Sequence, residues 1–179
     1  MNFRTNVKTV AVIGTGTMGC GIAQVFAQAG RKVLMYDAVP GAVERALKTI
    51  DKSLSKFVEK GKLTADAAGA AKANLKPAGL SDMKDADLIV EAIFEDVPTK
   101  RALYAELAKV VPPDVVFASN TSSISISELA AASGRPEMFI GMHFFNPVPM
   151  MQLVEVVVGL KTAEPVVEFT MNLAKDLGK

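Results

Sequence analysis

The sequence has a single cysteine, Cys20, and a single histidine, His143, among 179 residues. One cysteine excludes an internal disulfide and a cysteine-rich metal site. No group of histidine, cysteine and carboxylate residues has the spacing of metal ligands, so we predict no metal. The net charge of +1 gives no general attraction for nucleic acid or for an anionic membrane, and we expect neither as a partner.

Long hydrophobic segments are also missing. The longest apolar runs are far too short to cross a bilayer, and the start Met-Asn-Phe-Arg-Thr-Asn lacks the apolar core of a secretory signal. We therefore expect a soluble, cytoplasmic protein. Hydrophobic residues make up 50% of the chain and charged residues 22%, which is typical of a globular domain. The length suffices for one domain with a sizeable core.

The most informative segment combines a short apolar run, Val10–Ile13, with three spaced glycines. Gly14, Gly16 and Gly19 form a G-x-G-x-x-G pattern between a predicted strand and a predicted helix. Gly14 allows the tight turn, Gly16 lets a pyrophosphate approach the backbone, and Gly19 lets the helix pack closely on the strand. The amino end of the helix offers free N–H groups to the phosphates. This segment predicts a dinucleotide site; a tight turn without a ligand is the alternative interpretation.

Asp37 directly follows the second predicted strand, 32–36. An acid at this place meets the hydroxyls of the adenosine ribose and repels a 2′-phosphate, so the sequence favours NAD over NADP. Arg31 and Lys32 lie nearby and weaken that preference.

Predicted strands and helices alternate along almost the whole chain, with no internal repeat or linker. The predicted strands are 8–13, 32–36, 86–94, 115–119, 139–144 and 151–158, with an extended piece at 75–77. The predicted helices are 18–29, 42–60, 65–73, 98–111, 127–132 and 163–177. This alternation predicts one α/β domain over 1–179 with a doubly wound, mostly parallel sheet of the Rossmann type. Ligands bind such sheets at the carboxyl ends of the strands.

The predicted helix 42–60 has one basic face. Its charged residues are Arg45, Lys48, Asp51, Lys52, Lys56 and Lys60. Such a face is explained either by solvation or by contact with a polyanionic ligand, and the pattern leaves both open.

His143 is the candidate acid–base group. A histidine beside two phenylalanines is often only a packed core residue, but this one leads into a proline-rich turn that contains Asn146. Glu155 lies within an apolar run, where a buried carboxylate needs a partner. If the turn folds back, Glu155 accepts a hydrogen bond from the imidazole and orients it. The other ring nitrogen is then free to take a proton from a substrate hydroxyl.

Further polar groups follow two other predicted strands. Asn120-Thr-Ser-Ser123 is either a polar turn that caps a helix or part of a site. Glu91 and Glu95 end the strand 86–94, and each is either close to the cofactor or a solvated acid.

Three segments resemble the 3-hydroxyacyl-CoA dehydrogenase family. They are Val-Ala-Val-Ile-Gly-Thr-Gly-Thr-Met-Gly-Cys-Gly-Ile-Ala, Ala-Ser-Asn-Thr-Ser-Ser and His-Phe-Phe-Asn-Pro-Val-Pro-Met-Met-Gln-Leu-Val-Glu. The third is the most specific, and the resemblance covers essentially the whole chain. It implies NAD-dependent oxidation of an (S)-3-hydroxyacyl-CoA to the 3-oxoacyl-CoA, or the reverse reduction, for example of acetoacetyl-CoA.

The resemblance also implies roles for individual residues. His143 corresponds to the catalytic base, Glu155 to its partner, and Ser122 to the serine that hydrogen-bonds the substrate oxygen. The positions that correspond to cofactor contacts are Gly14, Gly16, Thr17, Met18, Gly19, Asp37, Glu95, Lys100, Asn120 and Asn146. The positions that correspond to contacts with the acyl-CoA substrate are Ser53, Lys60 and Ser122.

Members of this family carry a further helical domain of roughly 100 residues, which forms a homodimer contact and closes the substrate cleft. We therefore expect the chain to be the NAD-binding domain alone, which binds NAD but turns over poorly. Two other functions fit the fold: a dinucleotide-binding module without catalysis, and a different hydroxyacid dehydrogenase. The combination of His143, Glu155 and Ser122 favours catalysis, and the basic helix favours CoA.

Overall fold

The structure is a computed structural model and describes residues 2–179. The strands are β1 (Thr9–Ile13), β2 (Lys32–Tyr36), β3 (Leu75–Pro77), β4 (Leu88–Glu91), β5 (Val116–Ser119), β6 (Phe139–Phe144) and β7 (Val154–Val157). The helices are α1 (Thr17–Gln28), α2 (Ala42–Glu59), α3 (Ala65–Asn74), α4 (Val97–Val110), α5 (Ile126–Ala132) and α6 (Glu164–Asp176). Within the described residues, none of these helices is both long and apolar enough to cross a membrane.

All seven strands form one sheet in the order β3-β2-β1-β4-β5-β6-β7. Every neighbouring pair is parallel except β6 and β7, which are antiparallel. The strand order reverses between β1 and β4, and a crevice opens at the carboxyl ends of the strands at such a reversal. The predicted doubly wound, mostly parallel α/β fold is confirmed.

Successive residues of the central strands enter two separate hydrophobic cores. In β1, Val10 and Val12 pack with α1, α2, α3 and α6, whereas Ala11 and Ile13 pack with α4 and α5. Both faces of the sheet are therefore covered, and this explains why the central strands read as unbroken apolar runs rather than as alternating patterns.

Two predicted strands are wrong in extent. The strand predicted at 86–94 is only β4, because the amide of Ile93 donates to the Glu91 carboxylate at 2.8 Å and the chain leaves the sheet there. The strand predicted at 151–158 is only β7, because the amides of Met150 and Met151 close a turn on the carbonyl of Pro147.

Two glycines let α1 approach its neighbours closely. A Cβ at Gly19 would lie 1.8 Å from the carbonyl oxygen of Gly14, so only glycine permits the predicted packing of helix on strand. A Cβ at Gly21 would lie 2.6 Å from the Cβ of Val148, in the loop that follows β6. The helix after the glycine loop is thereby packed against the loop that follows His143.

We expect Gly21→Ala to destabilise the domain, because the added methyl group forces α1 and the Val148 loop apart. Overpacking of this kind costs about 1–3 kcal/mol. The matched control is Gly69→Ala, at an exposed position of α3, where an added Cβ has no neighbour within 4 Å and helix propensity alone gains about 1 kcal/mol. Urea unfolding measures both variants, and equal free energies of unfolding for the two would contradict the packing described.

Candidate active site

The ends of four parallel strands lie side by side at the crevice. Ile13 pairs with Glu91, Glu91 with Ser119, and Ser119 with Gly141. The segments that follow these residues therefore share one edge of the sheet. They are the glycine loop, residues 92–96, the turn at 120–125 and the end of β6, which carries His143.

A cavity of about 530 Å³ lies beside the glycine loop. A Cβ added at Gly16 would have no neighbour within 4 Å, and no side chain caps the amino end of α1. The backbone N–H groups there are open to a ligand, as phosphate binding requires. Two further site predictions, Gly14 and Asp37, line the same cavity, and Thr17 lines a smaller one between the loop and α2.

Asp37 is held firmly at the rim of the large cavity. Its Oδ2 accepts hydrogen bonds from the amide and hydroxyl of Thr15 at 2.7 and 2.8 Å, and its Oδ1 accepts one from the amide of Val39 at 2.9 Å. Burial raises the pKa of this carboxyl, but these hydrogen bonds and the nearby Arg45 outweigh burial and leave the pKa below its ordinary value. Asp37 is therefore a fixed negative charge at the place where the ribose is predicted to bind.

A second cavity, of about 420 Å³, adjoins the first, and both are lined by Ala92, Ile93 and Phe94. Most of the site residues that the sequence predicts in the C-terminal half of the chain line this cavity. The site predictions that line it are Met18, Glu95, Asn120, Ser122, His143 and Asn146. The fold thus brings into one cleft residues that are more than 100 positions apart in the sequence.

His143 and Glu155 face each other across the antiparallel pair β6–β7. The Nδ1 atom of His143 lies 2.8 Å from Oε2 of Glu155, which confirms the predicted contact. The predicted burial of Glu155 is wrong: its side chain is 53% exposed, because β7 is the edge strand. His143 itself is only 18% exposed and rests against the ring of Phe145. The Glu155 contact occupies Nδ1 and leaves Nε2 for a bound molecule.

Glu95 anchors the turn that carries Ser122. Its Oε1 accepts hydrogen bonds from the Thr121 hydroxyl at 2.6 Å and from the Ser122 amide at 2.9 Å. Burial raises the pKa of Glu95, but hydrogen bonds from Lys100, Thr121 and Ser122 and the charge of Lys100 outweigh it and lower the pKa. Asn120 is fixed as well, since its Oδ1 accepts from the amide of Phe144 at 2.8 Å.

Two charged residues beside the cleft, Glu91 and Lys100, are buried in the structure. Glu91 is neither solvated nor open to the cleft: it is 0% exposed and accepts hydrogen bonds from Tyr104 and Ser119. Lys100, predicted at the cofactor, is 1% exposed, and its Nζ lies 2.7 Å from Glu91 and 2.8 Å from Glu95. Direct contact of Lys100 with the cofactor stays a prediction, whereas its ion pairs are observed.

Two of the three positions predicted to contact the acyl-CoA lie elsewhere. Ser53 and Lys60 belong to α2 and to its carboxyl end, and neither is among the residues that line the two cleft cavities. Lys52, Lys56 and Lys60 are exposed there. The structure therefore does not bring these residues to the His143 cavity, and their contact with CoA stays a prediction.

Comparison with known proteins identifies the family. Residues 9–179 match the family described as "3-hydroxyacyl-CoA dehydrogenase, NAD binding domain". This chain belongs to the 3-hydroxyacyl-CoA dehydrogenase family. Membership confirms the resemblance of the sequence motifs and supports NAD as the cofactor of this domain.

Relatives in the family are close in sequence and in structure. A 3-hydroxyadipyl-CoA dehydrogenase of Escherichia coli is 48% identical over 97% of this chain and 37% of its own length. A probable 3-hydroxybutyryl-CoA dehydrogenase of Deinococcus radiodurans is 48% identical over 94% of this chain and 60% of its own. The crystal structure of (S)-3-hydroxybutyryl-CoA dehydrogenase from Ralstonia eutropha superposes with a TM-score of 0.94 at 42% identity, over 97% of this chain and 62% of its own. This chain therefore spans less than two thirds of the length of each of these three relatives.

The lowered pKa of Glu95 predicts a pH-dependent contribution to stability. A carboxyl whose pKa is lowered by folding stabilises the folded state above its ordinary value of 4.5 and loses that contribution as the pH falls through the folded value. We expect Glu95→Gln to be less stable than the native chain at neutral pH, and the difference to shrink below pH 4.5. Urea unfolding across this range measures it; a difference that does not change with pH would contradict the assigned role of Glu95.

Proposed function

We propose that this chain supplies the cofactor-binding and acid–base half of an NAD-dependent 3-hydroxyacyl-CoA dehydrogenase. The reaction is oxidation of an (S)-3-hydroxyacyl-CoA to the 3-oxoacyl-CoA, or its reversal. The observation that carries the proposal is the position of His143, paired with Glu155, in a cavity that adjoins the glycine loop and also contains Ser122. A dinucleotide-binding module without catalysis has no need for such a pair.

The residues at the glycine loop fit NAD. The open space at Gly16 accommodates a pyrophosphate, the uncapped end of α1 donates N–H groups to it, and Asp37 accepts hydrogen bonds from ribose hydroxyls. The residues that we expect to hold the remainder are Glu95, Asn120 and Asn146, which line the adjoining cavity. When bound, NAD supplies the acceptor for the hydride that leaves C3 of the substrate.

His143 supplies the proton transfer. In oxidation, Nε2 takes the proton of the 3-hydroxyl while the C3–H bond breaks, and in reduction the protonated ring returns the proton to the ketone oxygen. Oε2 of Glu155 lies 2.8 Å from Nδ1 of His143 and accepts its hydrogen. The tautomer that carries a free lone pair on Nε2 is therefore favoured. The contact with Glu155 also holds the ring in one orientation before the substrate binds.

Ser122 supplies a hydrogen bond to the reacting oxygen. Its amide is fixed by Glu95 at 2.9 Å, whereas its hydroxyl lies 3.5 Å from the same oxygen atom and is only weakly held. The hydroxyl is therefore available to donate to the substrate oxygen as negative charge develops there. Such a donor contributes most when it is already oriented before the reaction.

The activity of the whole protein involves more than these residues. The chain spans between 37% and 62% of the lengths of the three relatives compared above, and we propose that the segment beyond it closes the substrate cleft. We also propose that Ser53 and Lys60 contact CoA from the basic face of α2. Turnover by the 179 residues is then slow, although NAD(H) binding is retained.

The proposal is tested by single-turnover oxidation of NADH with the chain in excess. We expect acetoacetyl-CoA, but not free acetoacetate, to accelerate the oxidation. His143→Gln should slow the step by about two to four orders of magnitude, because it removes the acid–base group. Ser122→Ala should also slow it, whereas the matched control Ser123→Ala, in the same turn, should not.

Binding is measured separately by the fluorescence of bound NADH, which His143→Gln should leave unchanged. Tight NADH binding without any reaction of acetoacetyl-CoA would support the non-catalytic module instead. A reaction equally fast with free acetoacetate would support a different hydroxyacid dehydrogenase. Unchanged turnover in His143→Gln would remove His143 from the mechanism.

A further inference from the structure

A buried ion pair lies between the sheet and α4. Glu91 and Lys100 are 0% and 1% exposed, and Lys100 Nζ lies 2.7 Å from Glu91 Oε1. A buried ion pair contributes little net stability, because desolvation of the two charges offsets their attraction, and an apolar pair of the same volume often serves the core as well. The two charges do, however, hold each other in one position, so the pair can orient a third group that contacts it.

Glu91 itself cannot reorient. Its Oε1 also accepts a hydrogen bond from the amide of Ile93 at 2.8 Å, and its Oε2 accepts from the hydroxyls of Tyr104 at 2.8 Å and Ser119 at 2.7 Å. Both carboxylate oxygens of Glu91 are therefore held by donors from the segment after β4, from strand β5 and from helix α4. The ammonium group is held at one place as a result.

From that place Lys100 reaches the active-site cleft. Its Nζ lies 2.8 Å from Oε2 of Glu95, whose other oxygen accepts the Thr121 hydroxyl at 2.6 Å and the Ser122 amide at 2.9 Å. The contacts form one continuous chain from Glu91 through Lys100 and Glu95 to Ser122. Hydrogen bonds between charged groups are the stronger ones and fix geometry well.

We propose that Glu91 and Lys100 are positioning residues that hold Ser122 in place through Glu95. Without Lys100, Oε2 of Glu95 loses its ion pair, although Oε1 still faces Thr121 and Ser122. The carboxylate is then free to turn toward solvent at its exposed side. The turn at 120–125 then loses its anchor. The importance of Ser122 for the reaction rests on the proposed function, but the positioning itself does not.

The first test is the amide signal of Ser122 in two-dimensional NMR of the 179-residue chain without ligand. In Lys100→Met we expect this proton to shift upfield and to exchange with solvent about ten- to a hundredfold faster, because a hydrogen bond to a charged acceptor is lost. Lys109→Met is the matched control, since Lys109 is an exposed lysine of the same helix whose ion pair, among residues 2–179, is with Glu106. It should leave the Ser122 signal unchanged.

Lys100→Met leaves Glu91 unpaired in the core, so it can prevent folding. The double variant Glu91→Gln/Lys100→Met removes both charges together and avoids that penalty, while the side-chain oxygen of the introduced glutamine still accepts from the amide of Ile93. We expect the same shift and faster exchange of the Ser122 amide in this variant. A native position and native exchange rate for Ser122 in the folded double variant would overturn the proposal.

A second test separates positioning from a merely structural role. We expect Ser122→Ala to slow acetoacetyl-CoA reduction strongly in the native chain but much less in the double-variant background, since coupled residues give non-additive effects. Equal effects in both backgrounds would contradict action through Ser122. If the amide shifts as expected but neither Ser122→Ala nor the double variant changes the reaction, the proposed function of Ser122 is wrong and the positioning stands.

Discussion

The reversal of strand order between β1 and β4 is the constraint on which the site depends. From β1 the chain moves outward through β2 and β3 and then returns to the other side of β1 as β4. The connecting helices consequently cover opposite faces of the sheet. The carboxyl ends of the central strands are left facing an open crevice. The polar groups that line the cleft cavities project from those ends or from the segments that follow them, and Glu155 reaches His143 from the antiparallel edge strand β7.

Local patterns in the sequence predicted much of this arrangement. The glycine loop is recognisable because each glycine meets a steric requirement, and the structure places a carbonyl oxygen 1.8 Å from a Cβ added at Gly19 and open space at Gly16. The contact of His143 with Glu155 was also predictable, because a short turn between two apolar segments folds the second strand back on the first. The exposure of Glu155 was not predictable, because it depends on which strand lies at the edge of the sheet. Strand order is not a local property of the sequence.

For the same reason, local sequence patterns could not predict the buried network around Glu91 and Lys100. The side-chain partners of Glu91 lie 9, 13 and 28 residues along the chain, and the register of β4 with β5 and the packing of α4 bring them together. In the sequence Glu91 is indistinguishable from a solvated acid at a strand end. The two acids Glu91 and Glu95, four residues apart, have opposite surroundings: one is sealed in the core and the other faces the cleft. A single lysine, Lys100, binds both.

The central proposal is that this edge of the sheet binds NAD beside an acyl-CoA, so that a hydride passes between the nicotinamide and C3 of the acyl group. The most direct measurement is a single turnover of the chain with acetoacetyl-CoA and NADH that carries two deuterium atoms at C4 of the nicotinamide, followed by mass spectrometry of the product. The account predicts 3-hydroxybutyryl-CoA with one deuterium, located at C3. A product with only hydrogen at C3, or bound NADH that never reacts with the acyl-CoA, would contradict it.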